Sequence, residues 1–289
     1  MDPKGVADYM NIQELIQKIM SGSPCCGIRL QGADFSHLNL AGADFKDSDL
    51  SRSRFCFANL SGSAFQGCDL RESDFSHSVI AGATMIIAKI SGVPLGNVNH
   101  TNFRLSSMKD SDFSRARIEK ADFVDADLQN CHFEYAQIKE TEFGRTSFSK
   151  AKFNNTEMQR CDFSEIFANE LSVFRCNFQH NLFNASDLTG SEFVNCEFNH
   201  CSFKDAFLTR VKFRQCRFSD CDFSRSSAQE SAFLNCKFVK VNFGQAFLEG
   251  SQWSEYSFSD VQFRQASLGG AVIRSNNKTV DFQGASGLH

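Results

Sequence analysis

The chain has 289 residues, of which 30 are basic and 34 acidic, for a formal charge of −4; this excludes both the cationic field of a polyanion binder and a uniformly acidic surface. No apolar run approaches the ~18 residues needed to span a bilayer, so a soluble protein with no membrane span is expected. Twelve cysteines and 32 phenylalanines stand against three Tyr, one Trp and three Pro. In a chain this long, with no cleavable leader visible at its start, the cysteines imply free thiols in a reducing cytosol rather than a disulfide framework. The Phe excess implies one structural slot filled many times.

The first predicted element is "VADYMNIQELIQKIM" at 6–20, which places Tyr9, Ile12, Ile16 and Ile19 at helical spacing with Asp8, Asn11, Glu14 and Lys18 elsewhere on the wheel. A helix here, with the loop "SGSPCCG" at 21–27, reads as a cap over residues 1–27. Cys25 and Cys26 fall outside the register that follows and are expected to be exposed.

From Leu30 a large apolar residue recurs at every fifth position: Phe35, Leu40, Phe45, Leu50, and on through Phe75, Ile80, Met85, Ile90 and Leu95. The register slips near 93–102, where "VPLGNVNHTN" suggests a corner with about three extra residues. It resumes at Val98 and Phe103 and runs to Trp253, Phe258, Phe263, Leu268 and Ile273. Two positions before each large residue stands a small one, such as Ala33, Ser48, Cys68, Ala121 and Cys131. A period of five fits neither an amphipathic helix nor a long strand, in which an odd step flips the side chain. The chain must turn a corner once per repeat, with the large and small residues both inward, which makes a solenoid.

Two stretches strain the pattern. In "IFANELSVF" at 166–174, Ile166 and Leu171 take small slots while Ala168 and Val173 take central ones, so volume is roughly conserved; if the register holds, Phe167 and Phe174 point outward. Near the end, Trp253 in a central slot and Tyr256 in a small one would crowd the last coils, either plugging that end or meeting a second copy in a dimer. Residues 274–289 read as a polar, irregular tail.

"ADFSH" (33–37), "ADFKD" (43–47), "CDLRE" (68–72), "ADFVD" (121–125), "CDFSE" (161–165) and "CDFSR" (221–225) resemble the pentapeptide repeat family, whose pattern is Ala-(Asp/Asn)-(Leu/Phe)-x-x. The resemblance covers about 30–273 and implies an all-β fold: a right-handed quadrilateral β-helix with 20 residues per coil, spanning 28–273 behind the short capping helix. The cysteines offer their own check, since Cys176, Cys196, Cys216 and Cys236 are successive steps of 20, as are Cys201 and Cys221. At ~4.8 Å per coil, about twelve coils would make a rod about 60 Å long.

That frame assigns "NCEFNHCSF" at 195–203, which at first sight resembles a metal or redox cluster. Cys196 and Cys201 fall in inward small slots, together with Cys68, Cys131, Cys161, Cys176, Cys216, Cys221 and Cys236, while His180 and His200 share an outward column. Inward thiols and outward imidazoles do not converge on one ion, so no metal and no cofactor is expected. No nucleophile motif, phosphate loop or carboxylate pair marks a catalytic residue.

Function must then lie in the outward columns. Lys120, Glu140, Arg160, His180, His200, Asp220, Lys240 and Asp260 follow one another at steps of 20 with largely alternating sign, as do Arg145 over Glu165 and Asp205 over Arg225, favouring ion pairs between coils. Phe167, Phe207 and Phe247 share a second column, interrupted by Asp187 and Ser227. With Phe174 they are the candidate partner-binding residues of a non-catalytic scaffold, a bacterial adaptor or a secreted effector acting on a protein partner and not on nucleic acid. The resemblance implies an alternative, mimicry of DNA toward a type II topoisomerase such as gyrase with protection from quinolone-like inhibitors, for which Asp34, Asp44, Asp49, Asp69 and Asp74 would form the acidic face. The cytoplasm is the expected location, with non-classical secretion in the effector case.

Overall fold

The computed structural model describes residues 14, 15, 17 and 18, 25–86, 88–91, 101–273 and 280–287. Its unit is the five-residue step. After each inward large residue the chain turns, and the second residue of the turn takes a left-handed backbone, with φ between 48° at Glu255 and 64° at His37 wherever it is not glycine. Many corners close with a hydrogen bond across the turn, as from the Leu38 N–H to the Phe35 carbonyl at 3.2 Å. Branching at Cβ makes this conformation costly, and no Val, Ile or Thr occupies a described corner.

Four such corners close a coil, and successive coils stack in parallel through backbone bonds such as Phe35 N–H to Arg54 O at 2.7 Å. The molecule is therefore a four-sided parallel β-solenoid. The first face carries the pairing Asp34, Arg54, Asp74, Asn102, Asp122 and onward to Gln262 and Asp281. The second runs from Asn39 through Val79, Ser147, Phe167 and Phe207 to Ser267 and Ser286. The third includes a seven-stranded sheet from His132–Glu134 to Gln252–Ser254, and the fourth a nine-stranded sheet from Lys89–Ser91 to Ser257–Ser259.

Among the described residues the inward side chains form one contiguous core. Down the first face the central slot is Phe at every level from Phe35 to Phe282, and these rings form one unbroken stack with centroid separations of 4.5–5.1 Å and planes within 19° of parallel. The stack continues across the register slip, where Phe75 meets Phe103 at 4.9 Å.

Small inward slots do more than fill space. Some hydroxyls there donate to a carbonyl one coil back, as Ser53 to Leu30 O at 2.8 Å and Ser191 to Ala168 O at 2.7 Å, and others to the carbonyl three residues before, as Ser186 to Phe183 O at 2.7 Å. Thiols make longer contacts of the same kind, as Cys216 to Phe193 O at 3.3 Å. Asn181 is fully buried in such a slot. Its Nδ2 donates to Met158 O at 2.9 Å and its Oδ1 accepts from the Cys161 N–H at 2.7 Å.

The register holds through 166–174, with Ile166, Ala168, Leu171 and Val173 all buried. Three expectations need correction. Cys25 is not outside the register: it lies five positions before Leu30, its N–H bonds Asp44 O at 3.0 Å, and it is buried, while Cys26 is exposed. The slip is larger than about three residues, because Asp74 pairs with Asn102, Val79 with Ser107 and Thr84 with Asp112, each 28 positions on, eight more than the 20 elsewhere. Local periodicity carries the pattern on to Leu95, whereas coil pairing breaks after Lys89–Ser91; Leu95 and Val98 lie outside the described residues. The tail is not irregular throughout, since "VDFQG" at 280–284 is one more pentad: Val280–Asp281 pairs with Val261–Gln262, and Phe282 stacks on Phe263. Crowding at Trp253 and Tyr256 is absorbed below this added coil, with the indole stacked on Phe233 at 4.1 Å and its Nε1 donating to Ser251 Oγ at 2.8 Å. At the other end residues 14, 15, 17 and 18 are helical and Leu15 is buried in the core; Tyr9, Ile12, Ile16 and Ile19 lie outside the described residues.

Two substitutions test this account. Asn195→Val, at a corner with φ 55°, is expected to lower stability by about 1–2 kcal/mol while Asn195→Gly does not, read from denaturant midpoints. Asn181→Ala leaves a buried N–H and a carbonyl unpaired and is expected to cost about 2 kcal/mol or more, whereas Asn181→Ser recovers part of this through the hydroxyl bond that Ser191 already makes.

Candidate interaction surface

Each pentad turns two or three side chains outward, and the outward Asp has a local task. Asp34, Asp44, Asp49, Asp69 and Asp74 each accept the N–H of the residue two ahead, at 3.0–3.2 Å, and so brace their own turns. They do not gather. Asp34 and Asp74 are on the first face with Arg54 between them, Asp44 is on the third, and Asp49 and Asp69 pair on the fourth. Cations stand beside three of them: Arg54 3.7 Å from Asp34, Lys46 3.5 Å from Asp44, and Arg71 in contact with Asp69.

The alternating columns form ion pairs between coils. Glu140 lies 3.8 Å from Lys120 and 3.4 Å from Arg160, and Asp220 lies 3.8 Å from Lys240. Arg225 grips Asp205 at 2.8 Å, and its hydrogen bonds hold that carboxyl below the usual carboxylate range. Arg145 makes its bond at 2.8 Å to Asp125, not to Glu165. His180 and His200 stack at 4.7 Å on their outward column. Among the described residues no group of three or more metal-ligating side chains comes together.

The aromatic candidates divide. Phe167, Phe207 and Phe247 are 55%, 51% and 46% exposed and occupy one pairing column of the second face, two coils apart, or about 10 Å. Between the first two, Asp187 is turned onto the protein, accepting the Thr189 N–H at 3.0 Å and facing the Asn169 amide at 3.0 Å. Phe174 is not part of this set: it lies on the third face, half-buried beside the Arg175 guanidinium, 4.7 Å from its ring centroid. Two features escaped the sequence reading. Leu182, 41% exposed, lies on the first face of the coil between those of Phe167 and Phe207, with exposed Ala185 at the corner between the faces, so apolar surface continues around the edge. Farther up, Phe57 is sandwiched between His37 at 5.2 Å and His77 at 4.6 Å. Apolar side chains at outward positions were the available signal for both.

The inward cysteines are all buried. Burial pushes the Cys68 and Cys161 thiols up to about 12, leaving almost no thiolate at neutral pH. Native protein is expected to present one fast-reacting thiol to Ellman's reagent, Cys26, the exposed one, with the eleven buried thiols following only on unfolding. Cys26→Ser should remove the fast phase.

The model for pentapeptide repeats (8 copies) matches residues 27–63, 58–93, 126–164 and 175–216, and that for a pentapeptide repeat region matches 196–273. Among solved structures the chain is similar to HetL, a pentapeptide repeat protein involved in heterocyst differentiation regulation from the cyanobacterium Nostoc sp., with 19% identity over 97% of this chain and 99% of that one and a TM-score of 0.24. It is also similar to full-length QnrB1, a plasmid-mediated fluoroquinolone resistance protein, with 15% identity over 63% and 84% and a TM-score of 0.28. A pentapeptide repeat protein of the Arabidopsis thaliana thylakoid lumen shares 25% identity over 43% and 66%, with a TM-score of 0.27. No protein of curated function matches the chain.

Proposed function

The chain belongs to the pentapeptide repeat family, and on that premise we propose that it is a non-catalytic, rigid scaffold that holds a protein partner against its side. The observation that carries this reading is the column of Phe167, Phe207 and Phe247 on a single flat face, extended by Leu182 around the edge. Exposed rings at fixed spacing on a stiff support lose little entropy on binding, and aromatic anchors of this kind concentrate interface energy. The filled interior supports the same reading, because a stack of rings packed from Phe35 to Phe282 leaves function to the outer surface. The free thiols suit an adaptor working in a reducing cytoplasm.

Mimicry of DNA has less support. It requires a continuous negative stripe, whereas the five aspartates are distributed over three faces, brace their own turns, and in three cases have a cation alongside.

The deciding experiment is affinity capture from a bacterial lysate with mass spectrometry, repeated with Phe207→Asp/Phe247→Asp. A partner retained by the native chain and weakened at least about tenfold in the double variant supports the aromatic column, and undiminished capture refutes it. Protection of gyrase from a quinolone in a supercoiling assay, lost on Asp49→Lys/Asp69→Lys, would transfer the assignment to the acidic residues.

A further inference from the structure

The fourth face carries a feature independent of the aromatic column. Its outward side chains form two columns along the nine-stranded sheet, and between them lies a groove of about 390 Å³ running past Arg117, Gln137, Glu157 and Asn177 on one side and Glu119, Lys139, Gln159 and Gln179 on the other. A second groove, about 330 Å³, continues the line between Glu197, Arg217 and Lys237 and Asn199, Ser219 and Val239.

Some carboxamides elsewhere on the rod bond a carboxamide or carboxylate on the next coil. Asn59 bonds Asn39 at 3.0 Å, Asn130 bonds Asp110 at 3.0 Å, Asn242 bonds Asp222 at 3.2 Å and Gln245 bonds Gln265 at 3.0 Å. In the groove Gln137, Gln159, Asn177 and Gln179 make no side-chain hydrogen bond to any described residue, and Asn177 Oδ1 is shielded from solvent without a donor. An acceptor in that state is costly, and the cost is relieved once the amide turns onto a donor in the groove. Charge nearly cancels along the whole line, with Arg117, Lys139, Arg217 and Lys237 against Glu119, Glu157 and Glu197, which disfavours a polyanion. Width is the next constraint: the two columns are about 6.6 Å apart at their backbones, too close for a helix about 10–12 Å across.

We propose that this groove binds an uncharged, unstructured peptide segment, laid along the rod axis as a polyproline II strand. A carboxamide pairs with a peptide group through one donor and one acceptor, and a polyproline II strand has all its own peptide groups unpaired. The pitches agree: three residues of such a strand advance about 9.3 Å, and two coils, the separation of Gln137 and Asn177, advance about 9.6 Å. From Arg117 to Val239 the line is about 29 Å long, enough for about nine residues. The segment needs its backbone N–H groups as donors, so small polar residues suit it better than dense proline. The lining offers no exposed ring on which a sugar could stack.

The test uses the full chain labelled with ¹⁵N and a synthetic peptide of four Gln-Ser-Gly repeats. Titration is expected to move the side-chain NH₂ signals of Gln137, Gln159, Asn177 and Gln179. Gln137→Ala/Gln179→Ala should weaken binding about tenfold, with an unchanged melting temperature and unchanged binding in Phe207→Asp/Phe247→Asp. The proposal is overturned if the peptide moves none of these signals at millimolar concentration, or if the double alanine variant binds it as well as the native chain does. It is equally overturned if a neutral cello-oligosaccharide shifts the four amides and the peptide does not.

Discussion

Every feature of this molecule depends on the left-handed residue at the corner. An L-residue enters that conformation at a cost, and this chain does so at nearly every fifth position with ordinary side chains such as Arg, Glu, Asp and even Tyr135. The cost is tolerated because the turn fixes the direction of the next five residues, and four such turns return the backbone to register with its own previous coil. The amide of each extended segment then finds a carbonyl one coil away, at 2.7 Å for Phe35 and Arg54. No corner is stable by itself; the stack stabilises all of them together, as repeat architectures generally do.

Once cross-section is fixed, the interior becomes a problem of volume per level. The all-Phe face solves it with one ring per coil, stacked at the spacing the backbone imposes. Other faces vary, and they show what the constraint conserves. At Ile166 and Ala168 the large and small slots exchange contents, and the coil above and below keeps its pairing through Ser147, Phe167 and Asp187. The small slot also accepts Ser, Thr, Cys or Asn, because all four can donate to the carbonyl one coil back. A cysteine at 196 or 216 is thus chosen by size and weak donor capacity, and the column of thiols needs no redox or metal role to explain it.

Much of this was legible in the sequence, since inward and outward are decided by position within five residues. Phe167, Phe207 and Phe247 could be placed outside, and Cys196 inside, from numbering alone. Quantities that depend on which coil meets which were less legible. Eight extra residues separate Ile90 from the level of Phe103, yet Leu95 keeps the local beat and masks the break. Residues 274–279 separate Ile273 from a pentad whose Asp281 and Phe282 rejoin the stack. Arg145 has acidic neighbours one coil away on either side, Asp125 and Glu165, and sequence has no basis for choosing the former. The groove on the fourth face is a stronger case, because the amides of Gln137 and Gln179 are distinguished from those of Asn59 and Asn130 only by the bonds they do not make.

A repeat that dictates every inward residue leaves the outward ones free, and this freedom is what a rod of this kind can use. Two kinds of unspent surface result: apolar rings on the second face and unpaired carboxamides on the fourth. In a four-sided coil these faces are opposite, so a partner seated on one does not cover the other. The solid stack between them has no hinge at the described levels from Phe103 to Phe263, where each ring is in contact with the next. Binding at one face therefore cannot readily reshape the other. The two surfaces would act additively, their joint effect set by the fixed distance across the rod, as in any pair of sites on a rigid support.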